Sequence, residues 1–150
     1  MANTFSQIYL QFVFAVKGRQ SLIAKENKEE LHKYMTGLVQ NREAKMLAIH
    51  CLPDHTHLFV GFKPIIPISD FVKEIKVESN QFINGKKWVI GKFSWQEGYG
   101  VFSYSRSHVD RVVKYVLNQE AHHRKMSFDE EFLALLKKQR VEFDPRSVFG

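Results

Sequence analysis

A chain of 150 residues with 44% hydrophobic and 25% charged residues has the ordinary globular balance and fits one domain spanning residues 1–150, with a core of its own. Its formal net charge of +6 favours a polyanionic partner, either nucleic acid or an acidic membrane surface. The single cysteine, Cys51, excludes an intramolecular disulfide and a cysteine-rich zinc module, and no apolar run approaches the ~18–20 residues that cross a bilayer.

The opening residues, MANTFSQIYLQF, lack the charged start and cleavage site of a signal peptide, so a cytoplasmic setting is expected. Residues 5–17 alternate strictly. Ile8, Leu10, Phe12, Phe14 and Val16 point one way and Tyr9, Gln11, Val13 and Ala15 the other, which predicts a strand with two partly apolar faces. The Lys17-Gly18-Arg19-Gln20 stretch breaks it. Residues 26–41 carry Leu31, Tyr34, Met35, Leu38 and Val39 at helical spacing. Residues 44–51 and 55–62 read as strands around a Leu52-Pro53-Asp54 turn, with Cys51 a small buried hydrophobe. Ser69 is positioned to cap a helix with a Phe71, Val72 and Ile75 stripe, which Asn84-Gly85 should stop.

Residues 92–105 read as one strand or a bent hairpin. Ser107 to Asp110 has the spacing of a capping box ahead of a helix with Val109, Val112, Val113, Val116 and Leu117 as its stripe. Ser127 and Glu130 form a second such box before a short final helix through Leu133 and Leu136. The expected fold is therefore α+β: a ferredoxin-like (RRM-like) antiparallel sheet with helices packed on one face, plus extra C-terminal helices.

One ligand cluster stands out, Pro53-Asp54-His55-Thr56-His57-Leu58. Residues two apart on a strand share a face, so His55 and His57 project together while Thr56, Leu58, Val60 and Phe62 pack on the other side. Two imidazoles and one further ligand suit a catalytic metal with open positions. His32, His50 and His108 have no comparable spacing and read as structural. On the valine helix, Tyr115 falls off the main stripe, and Gln119, four residues on, shares its face. A phenol of pKa about 10 is a weak nucleophile at neutral pH, and a nearby divalent metal on the attacked phosphate would make it competent. The run His122-His123-Arg124-Lys125 complements a helix C-terminus and could touch phosphates.

Taken together, Asp54-His55-Thr56-His57-Leu58 and the downstream Tyr115-Val116-Leu117-Asn118-Gln119 resemble the single-tyrosine HUH transposases of the smallest bacterial insertion sequences, the IS200-like family. Trp95-Gln96-Glu97-Gly98-Tyr99-Gly100 and the stretch from Asn118 to Lys125 are similar to the family's segments around that tyrosine. The resemblance runs over nearly the whole chain. Two separated motifs in the right order carry it, where neither would alone. One departure is Thr56, where the family usually has a bulky hydrophobe; threonine keeps strand propensity and a methyl to pack.

The resemblance implies a ferredoxin-like core whose C-terminal helices carry the tyrosine, and a homodimer in which the histidine pair of one subunit meets the tyrosine helix of the other. It implies that His55 and His57 bind Mg²⁺ or Mn²⁺, that Tyr115 is the nucleophile and that Gln119 completes the metal shell. The implied reaction is transesterification on single-stranded DNA with hairpin ends, through a 5′-phosphotyrosine link. Lys73, Lys76, Lys86, Lys87, Lys92, Arg106, Arg111 and Lys114 are candidates for phosphate contacts. Three other readings stand beside the transposase reading: a non-catalytic nucleic-acid-binding module, a host-retained nuclease associated with palindromes that keeps the chemistry without the mobility, and a water-using metallo-hydrolase that releases DNA with no protein-linked product.

Overall fold

The computed structural model describes residues 4–123, 126–144 and 146, in two compact units, Met1–Leu117 and Asn118–Gly150. In the first unit, the alternation of residues 5–17 becomes strand β1 (Ile8–Ala15), and helix α1 (Lys28–Gln40) follows. Next come β2 (Lys45–Cys51), β3 (His55–Phe62), α2 (Ile68–Lys86), β4 (Gly100–Tyr104) and α3 (Val109–Leu117). Gly18, at φ 67°, takes the left-handed conformation that turns the chain away after β1. The strands form one four-stranded sheet in the order β2-β3-β1-β4, and every neighbouring pair is antiparallel. That order and the alternation of strands with helices are the ferredoxin-like arrangement expected from the sequence.

Both faces of the sheet are covered, which is why β1 is buried on both sides. Leu10, Phe12 and Phe14 of β1 and Leu58, Val60 and Phe62 of β3 form the larger core with Leu31 and Met35 of α1 and Phe71 and Ile75 of α2. Burying such side chains contributes about 1.5–3 kcal/mol each, so this layer anchors the strands that carry the site on their other side. On that opposite face Ala48 and Phe59 meet Val109, Val112 and Val116, the valine stripe of α3. Leu117, read as part of that stripe, is instead 57% exposed, because it falls at the end of the helix and turns outward.

Several boundaries differ from expectation. Helix α2 starts at Ile68 with Pro67 at its cap and no side-chain capping bond, so Ser69 is not the cap. It runs past Gly85 to Lys86 and closes on Lys87 in the left-handed conformation. Asn84 instead clamps Phe93, accepting its N–H at 2.8 Å and donating to its carbonyl at 2.9 Å. Of residues 92–105 only Gly100–Tyr104 is strand; the earlier part is loop, touching the sheet through a Val16–Trp95 bridge. A 3-10 turn at Arg106–His108 leads into α3, with the Ser107 hydroxyl 2.9 Å from that of Ser105. Cys51 is buried as expected, and burial pushes its thiol up to about 12.

The second unit holds α4 (Gln119–His123) and α5 (Phe128–Lys138). The capping box at Ser127 is present, with Glu130 N–H donating to its hydroxyl at 3.2 Å and Ser127 N–H donating to Glu130 at 3.3 Å. The buried carboxylate of Glu131 lies 3.0 Å from His123 Nε2 and 3.5 Å from His122 Nε2. Arg124 and Lys125 of the basic run lie outside the described residues. No helix among the described residues is long and apolar enough to cross a membrane.

Candidate active site

His55 and His57 both face the α3 side of the sheet, as the period of two requires, with ring centroids 5.2 Å apart and planes at 72°. Each ring is anchored through Nδ1. His55 Nδ1 donates to Asp54 Oδ1 at 2.7 Å, and His57 Nδ1 lies 2.9 Å from Gln11 Oε1. A carboxylate only accepts, so Nδ1 of His55 carries a proton, and Nε2 is the nitrogen that a metal would take. A ligating histidine characteristically gives its other ring N–H to a carboxylate or carbonyl oxygen. The donor set of this pair therefore fits a divalent ion.

Between the two histidines, Thr56 points to the other face and is fully buried. Its hydroxyl sits 3.2 Å from Cys51 Sγ and donates to the His50 carbonyl at 3.3 Å. The polar atom that replaces the family's hydrophobe is thus bonded, and the strand beneath the histidines keeps its register.

Tyr115, on α3, is half-buried, and its ring meets the His57 ring of the same chain at 5.8 Å between centroids, nearly perpendicular at 82°. The valine stripe fixes that approach, since Val112 and Val116 seat α3 on Phe59 and Ala48. The structure thus brings His55, His57 and Tyr115 onto one side of one sheet. Gln119 does not share a helix with Tyr115: α3 ends at Leu117, and Gln119 opens α4 in the second unit. The helix ends there without a glycine or proline signal. His50 Nδ1, 3.2 Å from the Leu117 carbonyl, satisfies one of its terminal acceptors.

The basic candidates divide by layer. Arg106, Arg111 and Lys114 are exposed on or just before α3, and Arg111 lies one turn before Tyr115 on the same helix. Lys73 and Lys76 belong to α2, whose buried residues pack on the opposite face of the sheet. Lys73 lines a surface groove with Arg42, Asp70, Glu74 and Glu78. The Lys76 ammonium donates to the carbonyls of Gln96 at 2.9 Å and Gly98 at 2.5 Å. Burial lowers its pKa to about 8, and it serves as a staple for the loop before β4.

Two residues of the site, Gln11 and Tyr104, were not among the expected ones. Gln11 donates through Nε2 to the Tyr104 hydroxyl at 2.8 Å while its oxygen faces His57. A signal existed: Gln11 is the one amide in an otherwise apolar run on β1, and it is fully buried.

The IS200-like transposase family model matches residues 4–119, from the segment ahead of β1 to the first residue of α4. Among characterised relatives, the ISDra2 transposase TnpA of Deinococcus radiodurans is 23% identical over 118 residues, 75% of this chain and 84% of that protein. A solved candidate transposase from Deinococcus radiodurans R1 has the same fold at a TM-score of 0.63 and 22% identity, covering 79% of this chain and 95% of that one. A REP-associated tyrosine transposase bound to a REP hairpin follows at a TM-score of 0.61 and 15% identity, covering 82% and 73%. With the family match spanning the sheet, the histidine pair and Tyr115, the chain belongs to the IS200-like transposases.

Proposed function

We propose that the protein is a metal-dependent single-strand DNA endonuclease and ligase that moves DNA by transesterification through Tyr115. The observation that carries this reading is the same-chain contact of the Tyr115 ring with His57, on the face where both imidazoles are anchored by Nδ1. His55 and His57 would hold Mg²⁺ or Mn²⁺ through Nε2, with Gln119 as a further ligand. When bound, the ion supplies charge neutralisation at a non-bridging phosphate oxygen. The Tyr115 oxygen attacks phosphorus and gives up its proton. The bond from phosphorus to the 3′-oxygen breaks, and that oxygen takes a proton. The products are a 5′-phosphotyrosine link and a free 3′-hydroxyl, and reversal with another 3′-hydroxyl rejoins DNA without ATP.

Arg106, Arg111 and Lys114 are exposed on, or just before, the helix that carries Tyr115 and are suited to positioning phosphates. The hairpin bound by one solved relative supports single-stranded DNA with hairpin ends as the substrate. A homodimer is part of the proposal, and the contact within one chain favours sites completed inside each subunit. Action on chromosomal DNA puts the protein in the cytoplasm.

Incubation of end-labelled single-stranded DNA from the flanks of the gene with Mn²⁺ tests the reading. A labelled protein band that survives a denaturing gel is expected, and Tyr115→Phe should abolish it while DNA binding persists. Cleavage without a protein-linked product would identify a water-using hydrolase instead. Binding without cleavage would identify a non-catalytic module. Element ends flanking the gene would separate a mobile element from a host-retained nuclease.

A further inference from the structure

A largely buried side-chain relay crosses three strands and ends on one of the two histidines. Its members are Tyr104 on β4, Gln11 on β1 and His57 on β3. In the register Tyr104 stands opposite Tyr9 and His57 opposite Val13, so each is a diagonal neighbour of Gln11 on the same face. The distances are 2.8 Å from Gln11 Nε2 to the Tyr104 hydroxyl and 2.9 Å from Gln11 Oε1 to His57 Nδ1. Gln11 and His57 are both 0% exposed.

We infer that Gln11 is a positioning residue that selects the metal-binding tautomer of His57. The inference rests on the reading of His55 and His57 as a metal pair. The two histidines are not secured alike. Asp54 is acceptor-only and admits a single tautomer of His55. An amide has two ends: with Oε1 toward His57, the ring carries its proton on Nδ1 and its lone pair on Nε2. Turned over, the amide would donate to Nδ1 and drive the proton to Nε2, where no metal could bind. In the structure the first orientation is the one formed, with Gln11 Nε2–H donating to the Tyr104 hydroxyl and Oε1 facing His57.

An amide is otherwise a poor occupant of this position. Burying it without partners is costly, and an aliphatic side chain would pack beside Phe59 and Val13 with no such demand. Glutamine at the centre of β1 is accounted for by what its oxygen does to His57.

The test compares Q11E, which can only accept from His57 once ionised, with Q11M, which has a similar length and no strong acceptor. In ¹⁵N-histidine-labelled, metal-free protein, with His57 assigned from a His57→Gln spectrum, the ring nitrogens should report the Nδ1–H tautomer in the wild type and in Q11E. Q11M should show a mixture or the other tautomer. By Mn²⁺ calorimetry, Q11M should bind about 10–100-fold more weakly than wild type and Q11E within about threefold of it, the range in which a partner of a ligating histidine acts. Circular dichroism melts confirm that each variant is folded under the conditions used. A Q11M protein with an unchanged tautomer and unchanged Mn²⁺ affinity overturns the inference, as does a folded Q11E protein as impaired as Q11M. A wild type that binds no Mn²⁺ overturns the metal pair itself, while the tautomer comparison still decides whether Gln11 sets the ring.

Discussion

His32 uses its ring in the opposite sense to the metal pair. Its Nε2 accepts the Cys51 N–H at 2.8 Å, on the outer side of edge strand β2, and only an unprotonated nitrogen can take that bond. Burial, then the neighbouring His50 and Lys28, lower its pKa from about 6.5 to about 4. Between those values the unfolded chain holds the proton and the folded chain does not. Stability from this group is therefore complete above about 6.5 and lost as the pH falls through the window. The ring is only partly buried, so after discounting for solvent screening the effect is on the order of 1 kcal/mol. His32→Gln, which keeps an acceptor and does not titrate, should flatten the drop in melting temperature between pH 7 and pH 5. Equal pH slopes in the two proteins would show that the Cys51 bond does not depend on the ring's charge.

Elements were legible where their causes are local. Strand β3 occupies the residues expected after the Leu52-Pro53-Asp54 turn, and the capping box of α5 is where Ser127 and Glu130 put it. The side of the sheet carrying His55 and His57 follows from the same period of two. What could not be read was set by distant partners. The end of α3 at Leu117 coincides with a bond from His50, 67 positions away in sequence, and the Gln11 relay joins strands that meet only after folding. His50 also stands directly opposite His57 in the β2–β3 register, so the tyrosine helix is tied to the strand next to the metal pair. His50→Ala should leave Mn²⁺ binding and DNA binding near wild type. Covalent adduct formation should fall by about 10²-fold, as expected when a reacting group is misplaced by about 1 Å. Adduct formation at the wild-type rate would mean that the valine stripe alone positions Tyr115.

For the whole molecule, the question is whether one chain suffices for one site. The resemblance implies that the tyrosine helix serves a partner's histidines, whereas here Tyr115 meets His57 of its own chain, with α3 seated on its own sheet by Val109, Val112 and Val116. Moving that helix to another subunit would expose the valine stripe and Phe59 unless an equivalent stripe replaced it. That exchange is balanced only within a dimer of swapped helices. A mixture of Tyr115→Phe with His55→Ala/His57→Ala separates the two arrangements. If sites are completed within each chain, every site in a mixed dimer lacks either its nucleophile or its ligands, and no adduct forms beyond that of either variant alone. If helices are exchanged, a mixed dimer regains one intact pairing, and a covalent adduct appears on the histidine-less chain. We expect no rescue, with light scattering used to establish that the two variants form mixed dimers. A protein-linked band in the mixture would place the tyrosine in trans and make the contact with His57 one of two alternative seats for α3.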